Sequence, residues 1–121
     1  SSDEKLDLGR INIIPTIISE EILSKIGNIE LIFNSRSFCE MGEETVSSYF
    51  AQINNYWKPN VIYHENSNFL LFPNSERHIE ILGKDFPIDK ISYNLSQMNI
   101  SPFLGGNGRY REFIYKRSKS I

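Results

Sequence analysis

Three side chains in this chain have the chemistry of a nucleophile, a general base or a soft metal ligand: Cys39, His64 and His78. A catalytic thiol needs a histidine to take its proton. A zinc site announces itself by paired short spacings such as CxxC or HxxxH. Neither spacing occurs, and Phe38 and Glu40 around Cys39 form no nucleophile signature. Cys39 reads as a small buried apolar side chain. Only spatial adjacency to a histidine would give it a catalytic role, and only spatial clustering with Glu40, Glu65 or Glu80 would make a metal site. The expectation is a chain with no catalytic residue, no metal and no cofactor.

Carboxylates that work as an acid–base pair need two different environments. Glu43, Glu44, Asp85 and Asp89 are candidates by type alone, and all sit where helix starts or turns explain them. Gly105-Gly106-Asn107-Gly108-Arg109 could cradle a phosphate through backbone N–H groups, with Arg109 as the charge clamp. Such a loop normally opens a helix. Here it precedes residues that alternate like a strand, so it reads first as a tight turn.

That last alternation carries the main functional expectation. It puts Arg109, Arg111, Phe113, Tyr115 and Arg117 on one face and Tyr110, Glu112, Ile114 and Lys116 on the other. Arginines interleaved with aromatics suit an acidic or phosphorylated partner, because guanidinium pairs bidentately with carboxylate and phosphate. They equally suit an edge strand that an extended peptide joins, or a nucleic-acid strand held by charge and stacking. The RNA-recognition run K/R-G-F/Y-G/A-F-V-x-F/Y is absent, since Arg111-Glu112-Phe113-Ile114 does not fit it. Trp57, the chain's one tryptophan, is the other candidate, as tryptophan is enriched at binding hot spots.

The elements that must position these residues follow from periodicity. Ile11 to Ile18 forms a β-branched stretch broken by Pro15, so it reads as a strand that lies at an edge or ends there. Ser19 caps a short helix that Gly27 and Asn28 end. Ile29 to Phe33 reads as a covered strand, and 34–42 as a loop around Phe38, Cys39 and Met41. Val46, Tyr49, Phe50, Ile53 and Trp57 recur at helical spacing across 43–57, and Pro59 stops the helix. Val61–His64 and Phe69–Phe72 read as strands joined by a hairpin turn at Glu65-Asn66-Ser67-Asn68. His78–Leu82 reads as a short strand. Pro87 opens a helix over 87–98 with Ile88, Ile91, Leu95 and Met98 as its seam. Residues 109–117 make the final strand.

The totals bound the class. The 121 residues make one domain, with 1–10 as a flexible acidic linker or chain end and 11–121 as a single α+β unit. Its sheet should be mixed or mostly antiparallel, with two or three helices packed on it. With 40% hydrophobic and 23% charged residues, disorder is excluded. A net charge of −2 argues against general nucleic-acid affinity. No apolar run approaches the roughly 20 residues that span a bilayer. A lone cysteine fits a reducing, intracellular location (cytoplasm or nucleus). A chain opening on serine reads as a domain excised from a larger protein or as a tag remnant. The function expected is therefore a non-catalytic protein–protein interaction module. It would bind an acidic, phosphorylated or extended partner segment through an edge strand, the 34–42 loop and Arg109, Arg111, Phe113, Tyr115 and Trp57. Nucleic-acid binding by the basic-aromatic face of 109–117 is the alternative.

Overall fold

A computed structural model describes residues 29–68, 81–101 and 109–119. Four strands form one mixed sheet: β1 (Leu31–Ser35), β2 (Val61–Ser67), β3 (Tyr93–Ile100) and β4 (Tyr110–Arg117). Their order is β1-β2-β4-β3. β1 runs parallel to β2, whereas β4 is antiparallel to both β2 and β3. Parallel neighbours need a crossover, which α1 (Glu43–Gln52) supplies together with a π turn over Ile53–Trp57. This is the α+β class that composition and periodicity imply. One α-helix lies among the described residues, where two or three were expected.

α1 forms where the periodicity puts it. Val46, Phe50 and Ile53 are fully buried, while Glu43 and Glu44 occupy the first turn, where the helix dipole favours negative charge. The helix ends at Lys58, which caps it in the left-handed region at φ 39° and donates its N–H to the Ile53 carbonyl at 2.8 Å. Pro59 follows and cannot continue the helix. The buried face of α1 lies on Ile62 of β2, with Phe38, Phe86, Ile88 and Tyr93 completing the core. Facing residues share a face, so the register Ile62↔Tyr115, His64↔Phe113 and Asn66↔Arg111 fixes the helix-bearing side. Tyr63, Glu65 and Glu112 point to the other side.

Several expectations are corrected, among them that of a covered first strand, since Leu31 and Phe33 are 52% and 64% exposed. Residues 87–98 are not a helix. Asp89 organises a turn, accepting from the Ile91 N–H at 3.0 Å and the Ser92 hydroxyl at 2.6 Å, and β3 begins at Tyr93. Ile88 is buried while Ile91 is 92% exposed, so the supposed seam is no single face. Residues 65–67 are not a hairpin turn either; they extend β2, and their polar side chains are buried rather than solvated. Finally, 109–117 is a strand with the expected alternation but not an edge, because β2 and β3 flank β4 on both sides. Ile81 and Leu82 belong to no strand. The elements read over 11–27 and 69–72, residues 78–80, and the Gly105–Gly108 loop lie outside the described residues.

Candidate functional site

β1 is an edge. It has β2 on one side and, among the described residues, no strand on the other. The Arg36 N–H donates to the Glu65 carbonyl at 2.7 Å. Strand alternation therefore turns the backbone groups of Asn34 and Ile32 toward β2 and leaves those of Leu31 and Phe33 facing outward. Their side chains are 52% and 64% exposed, and the Phe33 ring stacks on Tyr63 at 5.2 Å.

Beside this edge runs a groove of about 290 Å³. β1 forms one wall. The 34–42 segment contributes Phe38 and Met41 through a 3-10 turn at Phe38–Glu40. The helix contributes Tyr49, Ile53 and Trp57. These three recur at intervals of four, the same-face spacing of a helix. The π turn carries Ile53 and Trp57; such turns are uncommon and recur at functional sites. Among the described residues no charged side chain lines the groove. Trp57 brings an indole N–H that is buried and has no hydrogen-bond partner among the described residues. A buried donor left unpaired costs about 1–3 kcal/mol. A larger depression of about 360 Å³ runs along Glu44, Thr45, Ser48, Tyr49 and Gln52. All five of those residues belong to α1, and no other described element lines it.

Of the five binding residues expected from sequence, Trp57 alone lies in this groove. Arg109, Arg111, Phe113 and Tyr115 share a face of β4, as alternation requires, but that face lies on the helix-bearing side of an interior strand. Phe113 is 1% exposed, its ring stacked on His64 at 4.5 Å, so it is core and not a contact surface. Tyr115 is half-buried, and burial holds its hydroxyl above the ordinary phenol range. The Arg109 guanidinium donates to the Ser67 hydroxyl at 3.3 Å and lies 5.1 Å over the Tyr110 ring. Arg117 donates to the Lys58 carbonyl at 3.0 Å. The 34–42 segment expected to take part in binding supplies Phe38 and Met41 to the groove, whereas sequence reasoning missed Ile32, Phe33 and Ile53. The four-residue spacing of Tyr49, Ile53 and Trp57 was the available signal.

Among the described residues, Cys39 and His64 are linked through one side chain. Asn66 is the hub of a buried polar network. Its carbonyl oxygen accepts from the Cys39 N–H at 3.0 Å, and its amide donates to Asn34 Oδ1 at 3.1 Å and to His64 Nδ1 at 3.3 Å. The neutral His64 ring then carries its hydrogen on Nε2, which is buried with no partner among the described residues. Burial pushes His64 down to about 3, so the ring stays uncharged near neutrality. The Cys39 thiol donates to the Arg36 carbonyl at 3.1 Å. Neither His64 nitrogen is set to take the thiol proton: one faces Asn66 and the other is shut between rings. The network orients the 34–42 segment against β2, which is how it bears on the groove.

On the opposite face, Glu65 and Glu112 are directly paired across β2 and β4, and the Tyr63 hydroxyl contacts both, the latter at 2.8 Å. Burial and the two carboxylates push that phenol well above its ordinary range. The Ser101 hydroxyl and the Asn99 amide complete the carboxylates' partners. No helix among the described residues is long and apolar enough to cross a membrane. Comparison with protein-family models, with characterised proteins and with solved structures gives no significant match.

Proposed function

We propose that this chain is a protein–protein interaction module that takes an extended, apolar partner segment along β1. The observation that carries this reading is the coincidence of a strand edge that no described strand pairs with and a groove that no described charged side chain lines. An extended peptide gains main-chain hydrogen bonds from the outward backbone groups of Leu31 and Phe33, while alternate side chains enter the groove between β1 and the helix. The lack of charge in the groove favours an extended apolar segment over an acidic or phosphorylated one. Arg111 belongs to a different strand, Arg109 directly precedes that strand, and neither lines the groove.

Trp57 is the only tryptophan, so its emission reports on the groove directly. Random peptides displayed against the chain should yield binders with alternating apolar positions. They should shift Trp57 emission and lose most of their affinity to Met41→Lys. Selected binders that leave the emission unchanged and tolerate Met41→Lys would remove the proposal. Binding to single-stranded nucleic acid, weakening steeply with salt and lost in Arg109→Ala/Arg111→Ala, would put the basic-aromatic face in its place.

A further inference from the structure

The opposite edge of the sheet has a different chemistry. β3 runs for eight residues, Tyr93–Ile100, with no charge and no proline. Every residue after Tyr93 is exposed, and Leu95, Met98 and Ile100 are 50%, 47% and 58% exposed. Edge strands usually carry lysines, prolines or irregularities that discourage pairing. β3 has only the last of these: Ser96 is skipped in the register between Leu95 and Gln97. Residues 97–100 beyond it pair regularly with β4 and leave their other side free of any described strand.

We propose that β3 pairs with the β3 of a second copy of this chain, antiparallel about a two-fold axis at Asn99. Backbone parity selects this register. The Ser101 N–H donates to the Tyr110 carbonyl at 3.1 Å. Asn99 and Gln97 therefore turn their backbone groups toward β4, and Met98 and Ile100 turn theirs outward. In an antiparallel ladder outward residues exchange bonds with outward residues. Met98 thus meets Ile100 of the second copy, and Ile100 meets its Met98. Both lie on the helix-bearing side, opposite Phe113 and Arg111 in the register, so four exposed apolar side chains close into one cluster across the axis. On the other face Asn99 meets its own copy, and an amide can both donate and accept.

Self-complementarity is what argues for a second copy as occupant: this register sets apolar Met98 against Ile100 and the neutral Asn99 amide against itself. A two-fold interface sets a patch against itself. A charged edge would place like charges opposite one another and repel, whereas a neutral one is compatible with itself. A charged partner would find no counter-charge here. The pairing lies on the edge remote from the β1 groove, so it stands or falls independently of peptide binding.

Residues facing each other without mutual hydrogen bonds have Cα atoms about 4.5 Å apart, within reach of a disulfide. Asn99→Cys in the full chain should give a covalent dimer under mild oxidation, and Asn94→Cys should not. Cys39 is 2% exposed and does not compete. Sedimentation of the unmodified chain should show a dimer that dissociates on dilution. Ile100→Lys should weaken that dimer roughly tenfold or more, with an unchanged circular-dichroism spectrum; Met98→Lys serves if that variant fails to fold. An unmodified chain that stays monomeric at every concentration, or equal cross-linking through positions 94 and 99, would overturn the proposal.

Discussion

The two edges of the sheet are built differently. Behind β1 stands a helix whose Val46, Phe50 and Ile53 are fully buried, so that edge borders a formed core and a groove. On β3, Leu95, Met98 and Ile100 lie on the same side of the sheet yet remain about half exposed. The apolar residues of the layer behind β1 are thus core, whereas those on the same side of β3 are an available surface. An apolar side chain on a strand therefore says nothing about its role until the layer above it is known. Between the two halves lies a seam of His64, Phe86 and Phe113, in which the His64 ring lies 4.7 Å from Phe86 and 4.5 Å from Phe113.

Truncating the core behind β1 should have the largest effect. Phe50→Ala should cost about 3–5 kcal/mol in denaturant unfolding, the usual range for a buried phenylalanine. Leu95→Ala on β3 should cost well under half of that in the monomer, because its side chain is already half in water. Equal losses would break the comparison. At the seam, the neutral, buried His64 couples stability to pH. Its folded value is about 3 against an ordinary 6.5, so below pH 6.5 only the unfolded chain takes up the proton. Stability should be full above pH 6.5 and fall by up to about 1.4 kcal/mol per pH unit down to about pH 3. His64→Phe should remove that portion of the slope in urea titrations at several pH values.

Smaller effects sharpen the picture. A Cβ on Gly83 would lie 2.7 Å from Phe113 Cε2 and 3.3 Å from His64 Cε1. Both rings are held in the seam, so Gly83→Ala should destabilise by about 1–3 kcal/mol in thermal unfolding. Lys58 holds a left-handed conformation at φ 39°, which costs a residue with a Cβ about 1–2 kcal/mol. Lys58→Gly should therefore raise the melting temperature slightly, while the Lys58 carbonyl still accepts from Arg117.

The helix-and-groove half was the more legible in sequence. Five apolar positions at helical spacing, acidic residues at the start and Pro59 at the end place α1 and its π turn almost to the residue, and Trp57 with them. The alternation of 109–117 is right in its faces, but nothing local distinguishes an interior strand from an edge. That is decided by β3, which the helical reading of 87–98 removed. The cause of that misreading is specific. Leu95 and Met98 are three apart yet share a face, because Ser96 drops out of the ladder between them; one skipped residue in a strand counterfeits the spacing of a helix. The end of β2 was lost for another reason. Glu65, Asn66 and Ser67 have turn composition, but their side chains are satisfied from distant positions, by Ser101, Cys39 and Arg109. No local pattern reports partners more than twenty residues away.

The irregularity at Ser96 also bears on how chains of this fold can differ in length. A one-residue deletion inside a strand ordinarily inverts every side chain beyond it. Here the extra residue is already outside the ladder, so removing it joins Leu95 to Gln97 and leaves Met98 opposite Phe113 and Ile100 opposite Arg111. Sequences descended from a common ancestor with this one should tolerate a gain or loss of one residue at that point, and at few others in the sheet.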